Sequence, residues 1–290
     1  MFVAVAEELP EVFRTHVVAK LDLISTLRLA QVNKYYNAAV WSVEAVRSLD
    51  EKAKDWAKLH NLTSVGPPLH ICSRLNNVKA IKALISSGAD LEERSREKAF
   101  PSPNNIYGRV TALHFAASHS NNFDAMKLLL EAGADVNART QLPKPNSGAT
   151  PLFFAECSPK LVSLLLEAGA DVTLKVAVDF GDAWGLNFET VLGYYTSCID
   201  ANAEVVKMLL DAGADPNGQD TYFGYTPLHN LVHVDEGVKI GKLLLEYGAD
   251  PLLTDKDGET PLDIVKELSK DQDLIDLLTE AQEKALKSST

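Results

Sequence analysis

The 290 residues hold no stretch that approaches the roughly 18 apolar residues of a membrane span. The apolar start MFVAVA has no basic residue before it and two acids after it, which argues against a secretory leader. We therefore expect a cytoplasmic protein that does not enter membranes. Cysteine is scarce: Cys72, Cys157 and Cys198 are odd in number, scattered, and at no metal-ligand spacing. That argues against a disulfide frame or a zinc cluster and favours reduced, mostly buried thiols. Arginine is missing from the last third, where residues 190–290 carry 8 lysines against 19 acids. Residues 1–60 balance at 8 basic and 8 acidic, and 61–189 at 12 and 13. The net charge of −12 is thus a property of the C-terminal third. Such a field disfavours nucleic acid and anionic lipid; it suits a basic protein partner, or simply keeps that face solvated.

What the chain has in abundance is repetition. Gly-Ala-Asp recurs at Gly88, Gly133, Gly169, Gly213 and Gly248, at spacings of 45, 36, 44 and 35. Each copy follows an apolar run such as MKLLLEA or VKMLLDA, and upstream of that stands Thr-Pro-Leu-His or a relative of it, clearest at Thr226-Pro227-Leu228-His229. Thr caps a first helix, Pro fits its first turn, and the Gly after a second helix takes the left-handed conformation that ends it. One such unit cannot bury both apolar faces alone, so stacked copies must build a continuous core.

This pattern resembles the ankyrin repeat, with its period of about 33 residues. The resemblance implies an all-α solenoid of helix-turn-helix repeats with hairpin fingers over residues 61–290, about five repeats and a capping one, TPLDIVKELSKDQDLIDLLTEAQEKALKSST. It also implies that the Thr-Pro-Leu-His histidines bond within their own repeat, which leaves little for a zinc reading of His229 and His233. Asp255-Lys256-Asp257-Gly258 lacks the third ligand and closing Glu of a calcium loop and reads as a turn.

Residues 1–60 are not repeats. From Leu9 to Ala38 they resemble the F-box, which docks substrate receptors on Skp1 in cullin-based ubiquitin ligases. Leu9-Pro10, Val17, Leu21-Asp22, Leu27-Arg28-Leu29, Val32 and Tyr36 stand at the family's positions, with Leu23, Asn33 and Tyr36 departing from its proline, cysteine and tryptophan. The resemblance implies a Skp1-binding set of Leu9, Pro10, Val17, Leu21, Leu27, Leu29, Val32 and Tyr36, with cullin reached through Skp1. The alternative is a helical cap over the first repeat of an ankyrin scaffold or inhibitor.

The extra residues of the longer repeats fall after Gly-Ala-Asp: 21 positions from Asp90 to Thr111 and 19 from Asp171 to Thr190, against 10 from Asp250 to Thr260. Solenoid insertions map to loops on one face, often the binding face. Aromatic and Arg side chains anchor protein interfaces. The expected target-binding residues are accordingly Arg94, Arg96, Phe100, Tyr107, Arg109, Phe180, Trp184, Phe188, Tyr222 and Phe223, with the enlarged loops forming one ridge or their aromatics folding back over neighbouring helices. No phosphate loop, Gly-x-Ser-x-Gly or Cys with a matched His occurs. The expectation is a monomeric adaptor of a ubiquitin ligase, or else an ankyrin scaffold or inhibitor, that is not an enzyme, needs no cofactor or metal, and holds an unidentified protein target, a basic one if the acidic third is its docking field.

Overall fold

Each apolar run of the sequence forms a helix that stops at its Gly-Ala-Asp. The structure, a computed structural model, describes residues 67–95, 109–141, 148–155, 157–179, 186–198, 200–269 and 271–288. The segment 1–60, with every Skp1-contacting residue expected in it, lies outside the described residues. So do Arg96, Phe100, Tyr107, Phe180 and Trp184, and with them most of the expected ridge.

The described residues fall into two units. The first, up to residue 138, holds α1 (Pro68–Arg74), α2 (Val78–Ser86), α3 (Ala112–Ala117) and α4 (Phe123–Glu131). There α1 packs on α3 and α2 on α4, around the buried Leu69, Ile81, Leu84, Leu113, Met126 and Leu129. The second unit, from residue 139, runs through a 3-10 turn (Pro151–Phe154), α5 (Pro159–Glu167), β1 (Lys175–Asp179), β2 (Leu186–Thr190), α6 (Val191–Thr196) and α7 (Ala203–Asp211). It continues with a 3-10 helix (His229–His233), α8 (Gly237–Glu246), α9 (Pro261–Leu268) and α10 (Gln272–Ser288). Strands β1 and β2 pair antiparallel, Lys175 with Thr190 and Asp179 with Leu186. The finger between the third and fourth repeats is thus an extended hairpin. Helix α10 covers α8 and α9, burying Leu274 and Leu278. Gly241 of α8 lets it approach, since a Cβ there would meet Leu277 at 3.0 Å.

Gly-Ala-Asp works the same way five times. Gly88, Gly133, Gly169, Gly213 and Gly248 all have φ between 83° and 93°, and no atom crowds the place of a Cβ. The backbone conformation, not space, requires glycine. The next residue's N–H donates back into the helix, as Ala134 N to Leu129 O at 3.0 Å and Ala249 N to Leu244 O at 2.8 Å. The aspartate then turns the chain: Asp90, Asp135, Asp171, Asp215 and Asp250 each accept the N–H two residues on, at 2.8 to 2.9 Å.

The start of each repeat varies more. Thr111 and Thr226 donate their N–H groups to Nδ1 of His114 and His229 at 3.2 and 3.1 Å. Thr260 makes the equivalent bond to Asp263 at 2.9 Å. Replacing one half of this clasp strands the other in the first and third repeats, whereas in the fourth Thr190 Oγ1 still accepts Gly193 N at 2.9 Å. Pro67 has no N–H to offer, and His70 Nδ1, buried, has no hydrogen-bond partner among the described residues. Phe153 stands three residues after Thr150, whose buried hydroxyl is likewise unpaired. That third repeat also has a single 3-10 turn where a first α-helix is expected. Only seven residues lie between its Pro151 and Pro159, and the residue before a proline resists the α conformation.

Candidate protein-binding surface

In the second unit the loop from Gln219 to Tyr225 is organised by one carboxylate. Asp220 accepts the backbone N–H groups of Tyr222 at 2.7 Å, Phe223 at 2.8 Å and Tyr225 at 2.8 Å. Gln219 Nε2 donates to the carbonyls of Gly224 at 2.7 Å and Thr254 at 2.9 Å. From the next finger, Lys256 gives its N–H to Phe223 O at 2.9 Å and its Nζ to Thr221 O at 2.6 Å. Gly224, at φ 80°, lies 3.2 Å from Lys256 N at its would-be Cβ, so it serves both turn and close approach.

This scaffold displays a file of rings. Tyr222 meets Phe223 edge-on at 4.5 Å, Phe223 stacks on Tyr225 at 5.1 Å, and Tyr225 lies flat on His229 at 5.3 Å. The file runs from the buried His229 out to Phe223, 44% exposed. Acids surround it. Burial, and then Asp255, Glu259, Asp220 and Asp257, push the Tyr225 hydroxyl above its ordinary pKa. Burial and Asp220 raise Glu189, on β2, to about 8. Glu189 is thus protonated at neutral pH, and the anionic surroundings of exposed Phe223 come from Asp220, Asp255 and Asp257, with Lys175 and Lys256 tied to carbonyls of the loop.

In the first unit the residues at the loop base are used differently. Ser95 N donates to Val110 O at 2.8 Å, Val110 N to Ser95 Oγ at 3.0 Å, and Arg109 Nε to Ser95 O at 2.7 Å. His70 Nε2 reaches the same Val110 carbonyl at 2.9 Å. Arg94 is half-buried, with Glu92 and Asp135 acting on its charge. The expected anchor Arg109 closes its own loop. Of the other expected target residues with described positions, Tyr222 and Phe223 come together and Phe188 lies on β2 opposite Ala177.

The histidine clasp settles the zinc reading of His229. Its Nδ1 accepts from Thr226, which places the ring proton on Nε2, 3.1 Å from Glu259 O. Burial lowers its pKa, so the ring is neutral with both nitrogens engaged. Among the described residues no group of three or more His, Cys, Asp or Glu could hold a metal. No described helix is long and apolar enough to cross a membrane.

A family model for ankyrin repeats, in three copies, matches residues 69–176 and 195–287. The chain belongs to the ankyrin-repeat family. Among curated proteins none matches it. Similar solved structures include an ankyrin-repeat domain from Acinetobacter baumannii, 28% identical, with a TM-score of 0.56 over 74% of this chain and 97% of that one. A chain from the complex of a predatory endopeptidase from Bdellovibrio bacteriovorus with an immunity protein is 24% identical, covering 73% of this chain and 97% of that one at a TM-score of 0.56. Ankyrin repeats bind proteins, and protein–protein interaction is the function class of this chain. Asp220, Tyr225 and Glu189 are site residues that motif reading passed over. The sequence signal for the first was an Asp four residues before a Gly in an aromatic loop, the pattern of a side chain that caps its own turn.

Proposed function

We propose that the chain is a recruiting adaptor that holds a basic protein target on the loop face of residues 175–260 and tethers it through residues 9–38 to Skp1, as a substrate receptor of a ubiquitin ligase. The exposed Phe223, fixed by a lattice of backbone hydrogen bonds amid carboxylates, carries the target half of this reading. A rigid aromatic over an anionic ground accepts an Arg or Lys side chain by stacking and by charge together. The tether half rests on Leu9-Pro10, Leu21-Asp22 and Leu27-Arg28-Leu29 in an opening that the repeats do not need. The mechanism is proximity: binding both partners raises the target's effective concentration at the ligase, with no chemistry asked of this chain. Gel filtration with purified Skp1 at micromolar concentration tests the tether. Co-elution is expected, and its loss on joint Leu9→Ala and Pro10→Ala substitution with the repeats still folded. Failure of the wild-type chain to co-elute makes residues 1–60 a cap and the protein an ankyrin scaffold or inhibitor.

A further inference from the structure

The fold places two of the three cysteines together. Cys157 lies just before Ser158, the N-cap of α5, and Cys198 lies in the corresponding turn of the next repeat, between α6 and α7. Their thiols are hydrogen-bonded, and the Cys198 thiol also sits 3.3 Å from Tyr194 O. Both are half-buried, within reach of a small reagent, whereas Cys72 is sealed in the core.

The backbone explains the meeting. Cys157 has φ 50°, one of two residues other than glycine with positive φ among those described; the other is Asn76, also at 50°. Asn76 occupies the same place, just before the N-cap Asn77 of α2. From that left-handed corner its side chain crosses to the next repeat, donating to Asn121 O at 2.8 Å and accepting from Ala125 N at 3.0 Å. The corner is thus a clamp between successive repeats, built from an amide in the first unit. In the second unit the same corner holds a thiol, and the group it meets is another thiol. An αL conformation is costly for Cys and ordinary for Asn, so the residue is not there for the turn.

We propose that Cys157 and Cys198 are a thiol–disulfide exchange site, forming a reversible disulfide that staples the third repeat to the fourth by reaction with a small disulfide of the glutathione type. A Cys157 thiolate attacks one sulfur of glutathione disulfide, breaking its S–S bond and releasing one glutathione thiolate. Cys198 gives up its proton and attacks the Cys157 sulfur of the mixed disulfide, releasing the second. The two cysteine sulfurs are oxidised by two electrons, and the two departing thiolates take up the two protons. The Cys157 thiol, burial, Glu189 and Asp200 raise the Cys198 thiol above its ordinary range, so thiolate is scarce and exchange is slow. Cys72, pushed up to about 12 by burial, stays out of it. The bond encloses the whole β1–β2 finger within the cross-linked loop.

The full chain, incubated with glutathione disulfide at mildly alkaline pH and digested without reductant, tests this. The expected result is one linked peptide pair joining Cys157 to Cys198, with Cys72 still open to alkylation after unfolding. The melting temperature should rise by roughly 5 to 10 °C and return with dithiothreitol, as a cross-link across a loop of this length implies. Cys157→Ser and Cys198→Ser should each remove the shift while leaving the reduced protein's melting point near the wild type's. Two separate glutathione adducts without a link, a link to Cys72, or a link between two chains would overturn the proposal, and none of these readings needs a variant to fold.

Discussion

The loop bases of the two units start from similar sequence and end in different roles. Both combine aromatic or Arg side chains with polar residues just after Gly-Ala-Asp. In the first unit Arg109, although exposed, commits its Nε to the Ser95 carbonyl across the base of the loop. In the second, Asp220, Gln219 and Lys256 satisfy the backbone between them, and Phe223 is left facing solvent. The difference lies in which group does the closing. A loop whose peptide groups are met by a short carboxylate can spare its large side chains for a partner, whereas one that closes on a long Arg side chain has spent it.

Removing the organising carboxylate should break that contrast most severely. Asp220→Ala leaves the part-buried N–H groups of Tyr222 and Tyr225 without their acceptor and the exposed one of Phe223 to water, and is expected to cost about 3 kcal/mol, near 8 °C in melting temperature, and to abolish partner binding. Thermal melts beside a binding assay check it.

The next effect is one of pH. Glu189 ionises at about 4.5 in the unfolded chain and at about 8 when folded. Its folded pKa is raised, so the stability it contributes is complete below 4.5 and drains away as pH climbs to 8. Urea melts should show Glu189→Gln more stable than wild type by roughly 2 kcal/mol at pH 8, with the gap closing towards pH 5. His70, held to about 4 by burial, acts oppositely, losing its contribution as pH falls from 6.5 to 4. The two residues bracket a stability maximum at weakly acidic pH.

Smallest is Arg109→Ala. It should cost about 1 kcal/mol of stability, one charge-assisted bond to a partly exposed carbonyl, and leave partner affinity unchanged. Loss of affinity without loss of stability would return Arg109 to the role of anchor.

The repeat architecture was legible because glycine, proline and threonine act through the backbone. A φ near 90° at Gly169 or Gly213 follows from the residue type and its place after an apolar run. What escaped reading depends on pairings across repeats. Nothing in the spacing of Cys157 and Cys198 shows that an αL corner brings them together, and scattered, unpaired thiols were the natural expectation. The stranded Nδ1 of His70 is visible only once Pro67 is seen to stand where other repeats have Thr. Arg109 and Phe223 looked alike as interface residues, since composition marks a loop as unusual without saying which of its side chains the loop itself consumes.

The most direct test of the protein-binding surface is a peptide-display selection on the immobilised chain, run in parallel on Phe223→Ala. Phe223 is exposed, so its removal should move the melting temperature by no more than about 2 °C. The expected result is enrichment of Arg- and Lys-bearing peptides on the wild type, with affinity at least tenfold weaker on Phe223→Ala, the loss of one interface anchor. Enrichment of acidic or uncharged peptides, or equal binding to both chains, would contradict the assignment of this ledge to a basic partner.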